Sequence, residues 1–131
     1  MEKKNFMIID DDEDDRYFFE EVVSKMSSSM EFMGANGCNE AMELLRIAEQ
    51  LPHFIFLDVN MPCVDGRQCI KQLKKDARLK QIPVIMYSTA FSEESIKEFQ
   101  KLGASSYLLK PTDVHKLPAQ ITEVINNIER S

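Results

Sequence analysis

The 131-residue chain is poor in positive charge, long apolar runs and paired metal-ligand motifs, and each shortage closes off a class of function. Lys and Arg total 16 against 22 Asp and Glu, a formal net charge of -6. That balance repels nucleic-acid phosphates, so no direct nucleic-acid partner is expected. The longest apolar runs, such as Phe54-Ile55-Phe56-Leu57, fall far short of the roughly 20 residues of a membrane span. Met1 to Asn5 lead into a short apolar stretch that ends in carboxylates, which is not the h-region of a signal peptide. No membrane association and a cytoplasmic location are therefore expected. Cys38, Cys63 and Cys69 are odd in number and lack C-x-x-C spacing, so reduced thiols are expected. His53 and His115 stand far apart, with no ligand pattern around either. Repeats, linkers and low-complexity segments are also missing, and Ser27-Ser28-Ser29 reads as an ordinary connecting loop.

What is present is a periodic alternation. Apolar runs at Phe6 to Ile9, Met30 to Ala35, Phe54 to Leu57, Pro83 to Tyr87 and Tyr107 to Leu109 read as buried strands. Between them lie helical spacings: Tyr17, Phe18, Val22 and Met26; Ala41, Leu44, Leu45 and Ala48; Ile70 and Leu73. Ser92 is a suitable N-cap for a fourth helix that begins with Glu93 and Glu94, and Gly103 ends it. A last helix carries Leu117, Ile121, Val124, Ile125 and Ile128, with Asp113 as one candidate cap and Pro118 blurring its start. Five alternations of strand and helix predict an α/β domain with a parallel sheet covered on both faces. With 131 residues, one domain over residues 1–131 is expected, with no room for an output domain.

In such a sheet, functional groups gather at the carboxyl ends of the strands. There the sequence places Asp10 and Asp11, then Asp58, then Ser88 and Thr89, then Lys110. Two carboxylates about 4 Å apart repel by roughly 4 kcal/mol at an effective dielectric of 20, so the cluster requires cations. Lys110 is one. Hard oxygen donors with retained waters suit Mg²⁺ as the other. Asp11 and Asp58 are the expected direct ligands, Asp10 acts through a bound water, and the backbone carbonyl of Asn60 can complete the set. Asp12, Glu13, Asp14 and Asp15 read instead as a solvated acidic helix start. Asp10, Asp12, Asp14 and Glu21 also match a calcium-loop spacing, but Asp15 stands where that loop needs Gly and a strand precedes it.

The motifs occur in a specific order: Asp10-Asp11 after the first strand, Asp58-Val59-Asn60-Met61-Pro62 with Asp65-Gly66 after the third, Ser88 after the fourth, and Gly103 through Lys110-Pro111 at the fifth. Together they resemble the response-regulator receiver domain, over about residues 5–128. The resemblance implies a flavodoxin-like, doubly wound five-stranded sheet of strand order 2-1-3-4-5 with about five helices. It also implies that Asp58 is the phosphoacceptor, Asp10 and Asp11 the metal-site pair, Ser88 the switch hydroxyl, Lys110 the phosphate-binding lysine and Tyr107 the switch aromatic. Ser88 stands where Thr is commoner in the family. Thr89 stands where Ala is frequent, and it adds a second hydroxyl near the phosphate.

The expected function is that of a stand-alone phosphoacceptor switch rather than an enzyme acting on other substrates. A sensor histidine kinase or phosphotransfer protein would supply the phosphoryl group, and an unidentified output protein would read the result. A monomer or weak dimer is expected. One alternative is a Mg²⁺-dependent phosphohydrolase with an aspartyl nucleophile, but such enzymes resemble D-x-D-x-[TV], and Asn60 follows Asp58 two places on. The other is a receiver-like module that is never phosphorylated, which would lack a site residue; none is missing. Two structural expectations follow. Lys110-Pro111 should be cis, aiming the amine into the pocket, and the output face should include Phe91, Lys97 and Tyr107. The competing reading of Tyr107 is an ordinary core tyrosine.

Overall fold

A computed structural model describes residues 4–26, 30–61 and 64–130. The chain alternates β1 (Lys4–Ile9), α1 (Glu13–Met26), β2 (Met30–Ala35), α2 (Cys38–Ile47), β3 (Phe54–Asp58), α3 (Gly66–Lys75), β4 (Val84–Ser88), α4 (Glu93–Leu102), β5 (Ser106–Leu109), a 3₁₀ turn (Val114–Lys116) and α5 (Leu117–Arg130). All strand pairs are parallel, in the order β2-β1-β3-β4-β5. This is the flavodoxin-like arrangement expected from the motifs.

The period-2 geometry of a strand sends neighbouring side chains to opposite faces, and both faces are covered here, so β3 and β4 are buried throughout. Met7, Ile9, Ile55, Leu57 and Met86 pack with Ala41, Leu45, Ile70, Leu73 and Phe99 of α2, α3 and α4. Phe6, Ile8, Phe54, Phe56 and Tyr87 pack on the other face with Phe19 and Val23 of α1 and Leu117, Ile121 and Ile125 of α5. Each fully buried large side chain stabilises the fold by roughly 1.5–3 kcal/mol.

Helix ends follow local chemistry. Ser92 and Ser95 form a reciprocal capping box on α4, and Gly103 closes that helix at φ 108°, a left-handed position that suits glycine. Asp113 caps the 3₁₀ turn by accepting from the His115 N–H, and α5 starts one residue before Pro118, where the missing proline N–H costs no helical bond. The Ser27-Ser28-Ser29 loop and the residues Pro62 and Cys63 lie outside the described residues.

The expectation of reduced thiols is overturned. Cys38 of α2 and Cys69 of α3 form a disulfide with Cα atoms 5.6 Å apart, rather than staying reduced. Both face the same side of the sheet, where α2 packs beside α3. That proximity is tertiary, and a separation of 31 residues hides it from any spacing motif.

Candidate functional site

Because the strands are parallel, the residues that end them converge on one edge. Asp10 follows β1, Asp58 ends β3, Ser88 ends β4, and Lys110 follows β5. The backbone continues the sheet pairing there: the Asp10 N–H donates to the Ala35 carbonyl at 3.0 Å and the Lys110 N–H to the Ser88 carbonyl at 2.7 Å. The crevice lies beyond β1 and β3, where connections leave to opposite sides, the usual ligand position in such sheets.

Lys110 is the hub. Its Nζ lies 3.1 Å from Asp10 Oδ2, 3.0 Å from Asp15 Oδ2 and 3.6 Å from Asp58 Oδ1. It also sits 5.0 Å from the centre of the Tyr87 ring. Burial works against its charge, but the hydrogen bond to Asp15 and the charges of Asp10 and Asp58 outweigh it and hold the ammonium above its ordinary pKa. Tyr87 is pushed up to about 12, mainly by burial.

Asp10 is 0% exposed and both of its oxygens are engaged: Oδ2 by Lys110, and Oδ1 by the Asp12 N–H at 3.0 Å. Asp58, 6% exposed, accepts from the Asn60 N–H at 3.4 Å. Burial first, and then the charge of Asp10, push the Asp58 carboxyl up to about 7 against the pull of Lys110 and the Asn60 N–H. Asp11 is exposed at the mouth. Carboxylate oxygens of Asp10, Asp11 and Asp58 lie within 4.8 Å of one another. One ammonium cannot neutralise so many acids. Hard oxygen donors grouped in this way suit a divalent cation such as Mg²⁺, whose shell usually retains waters.

Ser88 is buried, and its hydroxyl donates to the Ala90 carbonyl at 3.1 Å in the loop that follows. Thr89 and Asn60 are exposed beside it in sequence and at the β3 end respectively. Tyr107 is 46% exposed, with its ring 5.3 Å from that of Phe91, so it is not a core tyrosine. Lys110-Pro111 is not cis, since no peptide bond among the described residues is. The four-carbon lysine stem reaches Asp10 without that geometry.

Asp65 caps α3 by accepting from the Gln68 N–H at 3.0 Å. A Cβ on Gly66 would approach the Asp58 carbonyl oxygen and the Val59 Cα to 2.9 Å, so only glycine lets α3 start this close to the strand end that carries Asp58.

Asp15 is the residue that sequence reasoning missed. Asp12 does cap α1, accepting from the N–H groups of Asp14 and Asp15. Asp15, three residues after that cap, turns back over the sheet edge and pairs with Lys110 instead of facing only solvent. The signal was its place on the third residue of a helix that starts at the site's rim.

The chain matches the response regulator receiver domain family over residues 6–122. It is 32% identical over 88 residues to a probable methanogenesis regulatory protein, FilR2, of Methanothrix harundinacea, a match that takes in 64% of this chain and 57% of that one. It thus spans less than two thirds of that relative's length. The solved structure of the chemotaxis protein CheY4 of Vibrio cholerae superposes with TM-score 0.81 at 25% identity, over 92% of this chain and 98% of that one. The phosphorylated cyanobacterial phytochrome response regulator RcpA superposes with TM-score 0.81 at 28% identity, over 95% and 91%. With its strand order, its acidic edge and this match in hand, the chain belongs to the response regulator receiver domain family.

Proposed function

We propose that the protein accepts a phosphoryl group on Asp58 from a histidine kinase or phosphotransfer protein, with Mg²⁺ as cofactor. The observation that carries this reading is the 3.6 Å approach of Lys110 Nζ to Asp58 Oδ1 at an edge that also holds Asp10 and Asp11. Asp11 and Asp58 would hold the ion directly, with the Asn60 carbonyl. Asp10, whose oxygens are both engaged by the protein, would act through a water.

An Asp58 oxygen attacks phosphorus, and the P–N bond to the donor imidazole breaks with its electron pair going to nitrogen. Mg²⁺, when bound, neutralises charge on the transferring oxygens. Lys110 does the same from the β5 side, already within reach. The new acceptor oxygens then offer the Ser88 hydroxyl a partner in place of the Ala90 carbonyl. Thr89, exposed next to it, would contact the phosphate and set its lifetime. Release of Ser88 from its own loop frees the segment leading to Phe91, against which Tyr107 rests, so the face carrying Phe91, Lys97 and Tyr107 would carry the output. Among the described residues no helix is long and apolar enough to cross a membrane, and the cytoplasm is the proposed place of action.

Incubation with acetyl phosphate and Mg²⁺ tests the reading. One acid-stable, base-labile phosphate per chain is expected, absent in Asp58→Asn; an equal yield in that variant would overturn the assignment.

A further inference from the structure

We infer that Asp15 is a positioning residue for phosphoryl transfer: its carboxylate holds the Lys110 ammonium at the phosphoacceptor edge. This rests on the reading of Asp58 as the phosphoacceptor. An ammonium offers three N–H groups. Two are directed by carboxylates on different elements, Asp10 at the end of β1 at 3.1 Å and Asp15 in the first turn of α1 at 3.0 Å. The third direction is left for Asp58, whose Oδ1 lies 3.6 Å away.

A single carboxylate cannot fix the end of a four-carbon stem, because rotation about one ion pair leaves the nitrogen free to swing. Asp10 and Asp15, approaching from strand and helix, remove that freedom. The pairing with Asp15 adds little to stability, since the Asp15 side chain is 45% exposed. Its effect on position matters more: a misplacement of about 1 Å can change a rate by about a hundredfold. Asp10 also borders the candidate cation site, so its charge is shared once a cation is present. Asp15 is not one of the acids grouped there, and it keeps its hold on Lys110 in either state.

The test uses the full chain with acetyl phosphate and Mg²⁺, in the parent protein, Asp15→Ala, Asp15→Glu and Asp14→Ala. Asp15→Ala should lower the labelling rate at saturating donor by about tenfold, with the half-saturating donor concentration unchanged within about twofold. Asp15→Glu should recover part of the rate, and Asp14→Ala, which changes the same exposed helical turn, should behave as the parent. The NMR signal of the Lys110 Nζ ammonium should be observable in the parent and broadened by exchange in Asp15→Ala. An Asp15→Ala rate equal to that of Asp14→Ala, or an unchanged Lys110 signal, would overturn the inference. A parent protein that takes no label at Asp58 would instead defeat the phosphoacceptor reading, and the Lys110 signal would still decide whether Asp15 holds the lysine.

Discussion

Lys110 Nζ stands 3.6 Å from Asp58 Oδ1, outside hydrogen-bond length but inside ion-pair reach. The nitrogen is closer to Asp10 and Asp15, which engage it at 3.1 and 3.0 Å. Asp58 is buried with no cation at hydrogen-bond distance; burial first, and then the charge of Asp10, raise its pKa. Under the proposed function, a carboxylate held this way would meet the incoming phosphorus atom, and Lys110 would take the charge that arrives.

The pH dependence of stability follows from that geometry. A group whose folded pKa is raised binds its proton more tightly when folded, so its contribution is full below the unfolded value and is lost as pH rises through the folded one. For Asp58 that window runs from the ordinary value of 3.8 to about 7. Without metal, Asp58→Asn should match the parent near the lower end and exceed it above the upper end by about 4 kcal/mol. Urea midpoints in chelator across this range measure the gap; one that stays constant with pH would refute burial of the Asp58 charge as its cause.

Metal affinity should discriminate sharply among the acids of the Asp10 to Asp15 run. Asp11→Ala removes a member of the grouped carboxylates and should weaken Mg²⁺ binding by roughly tenfold or more. Asp14, an exposed residue of the α1 first turn, should be dispensable. Calorimetric titration giving equal losses for the two variants would mean that diffuse negative charge, not the strand-end pocket, attracts the ion.

The Cys38–Cys69 bridge predicts a thiol count. With two of the three cysteines paired, alkylation of the unfolded, unreduced protein should modify one cysteine, and prior reduction should expose three. Closing a loop of this length stabilises a fold by about 2–4 kcal/mol, so the reduced form should unfold at lower denaturant. Three reactive thiols before reduction, in protein kept under air, would contradict the pairing. Such bridges are uncommon in reducing compartments, so the same count on protein taken directly from cells also tests the cytoplasmic placement.

The fold was legible where burial leaves a periodic trace. β3 and β4 are buried along their whole length and read as unbroken apolar runs. β5 lies at the sheet edge, where only Leu108 is buried, so its start at Ser106 left a weaker mark. The strand-end residues Asp10, Asp58, Ser88 and Lys110 were legible together because parallel strands bring their carboxyl ends to one side. Features set by tertiary packing were not. The meeting of Cys38 with Cys69 depends on how α2 and α3 lie side by side. The trans state of Lys110-Pro111 is a choice made by surrounding structure. Asp15 was hidden in a run of acids whose exposed members fit the solvated reading, and its pairing with Lys110, 95 residues away in sequence, is tertiary.

Whether Asp58 receives the phosphoryl group is decided by locating that group on the chain. After reaction with acetyl phosphate and Mg²⁺, borohydride reduction converts an aspartyl phosphate to homoserine, which peptide mass spectrometry can place. Homoserine is expected at position 58 and at no other acid, including Asp10 and Asp11. Homoserine at Asp10 or Asp11 with Asp58 intact, or phosphate retained on a serine or threonine such as Ser88 or Thr89, would contradict the claim.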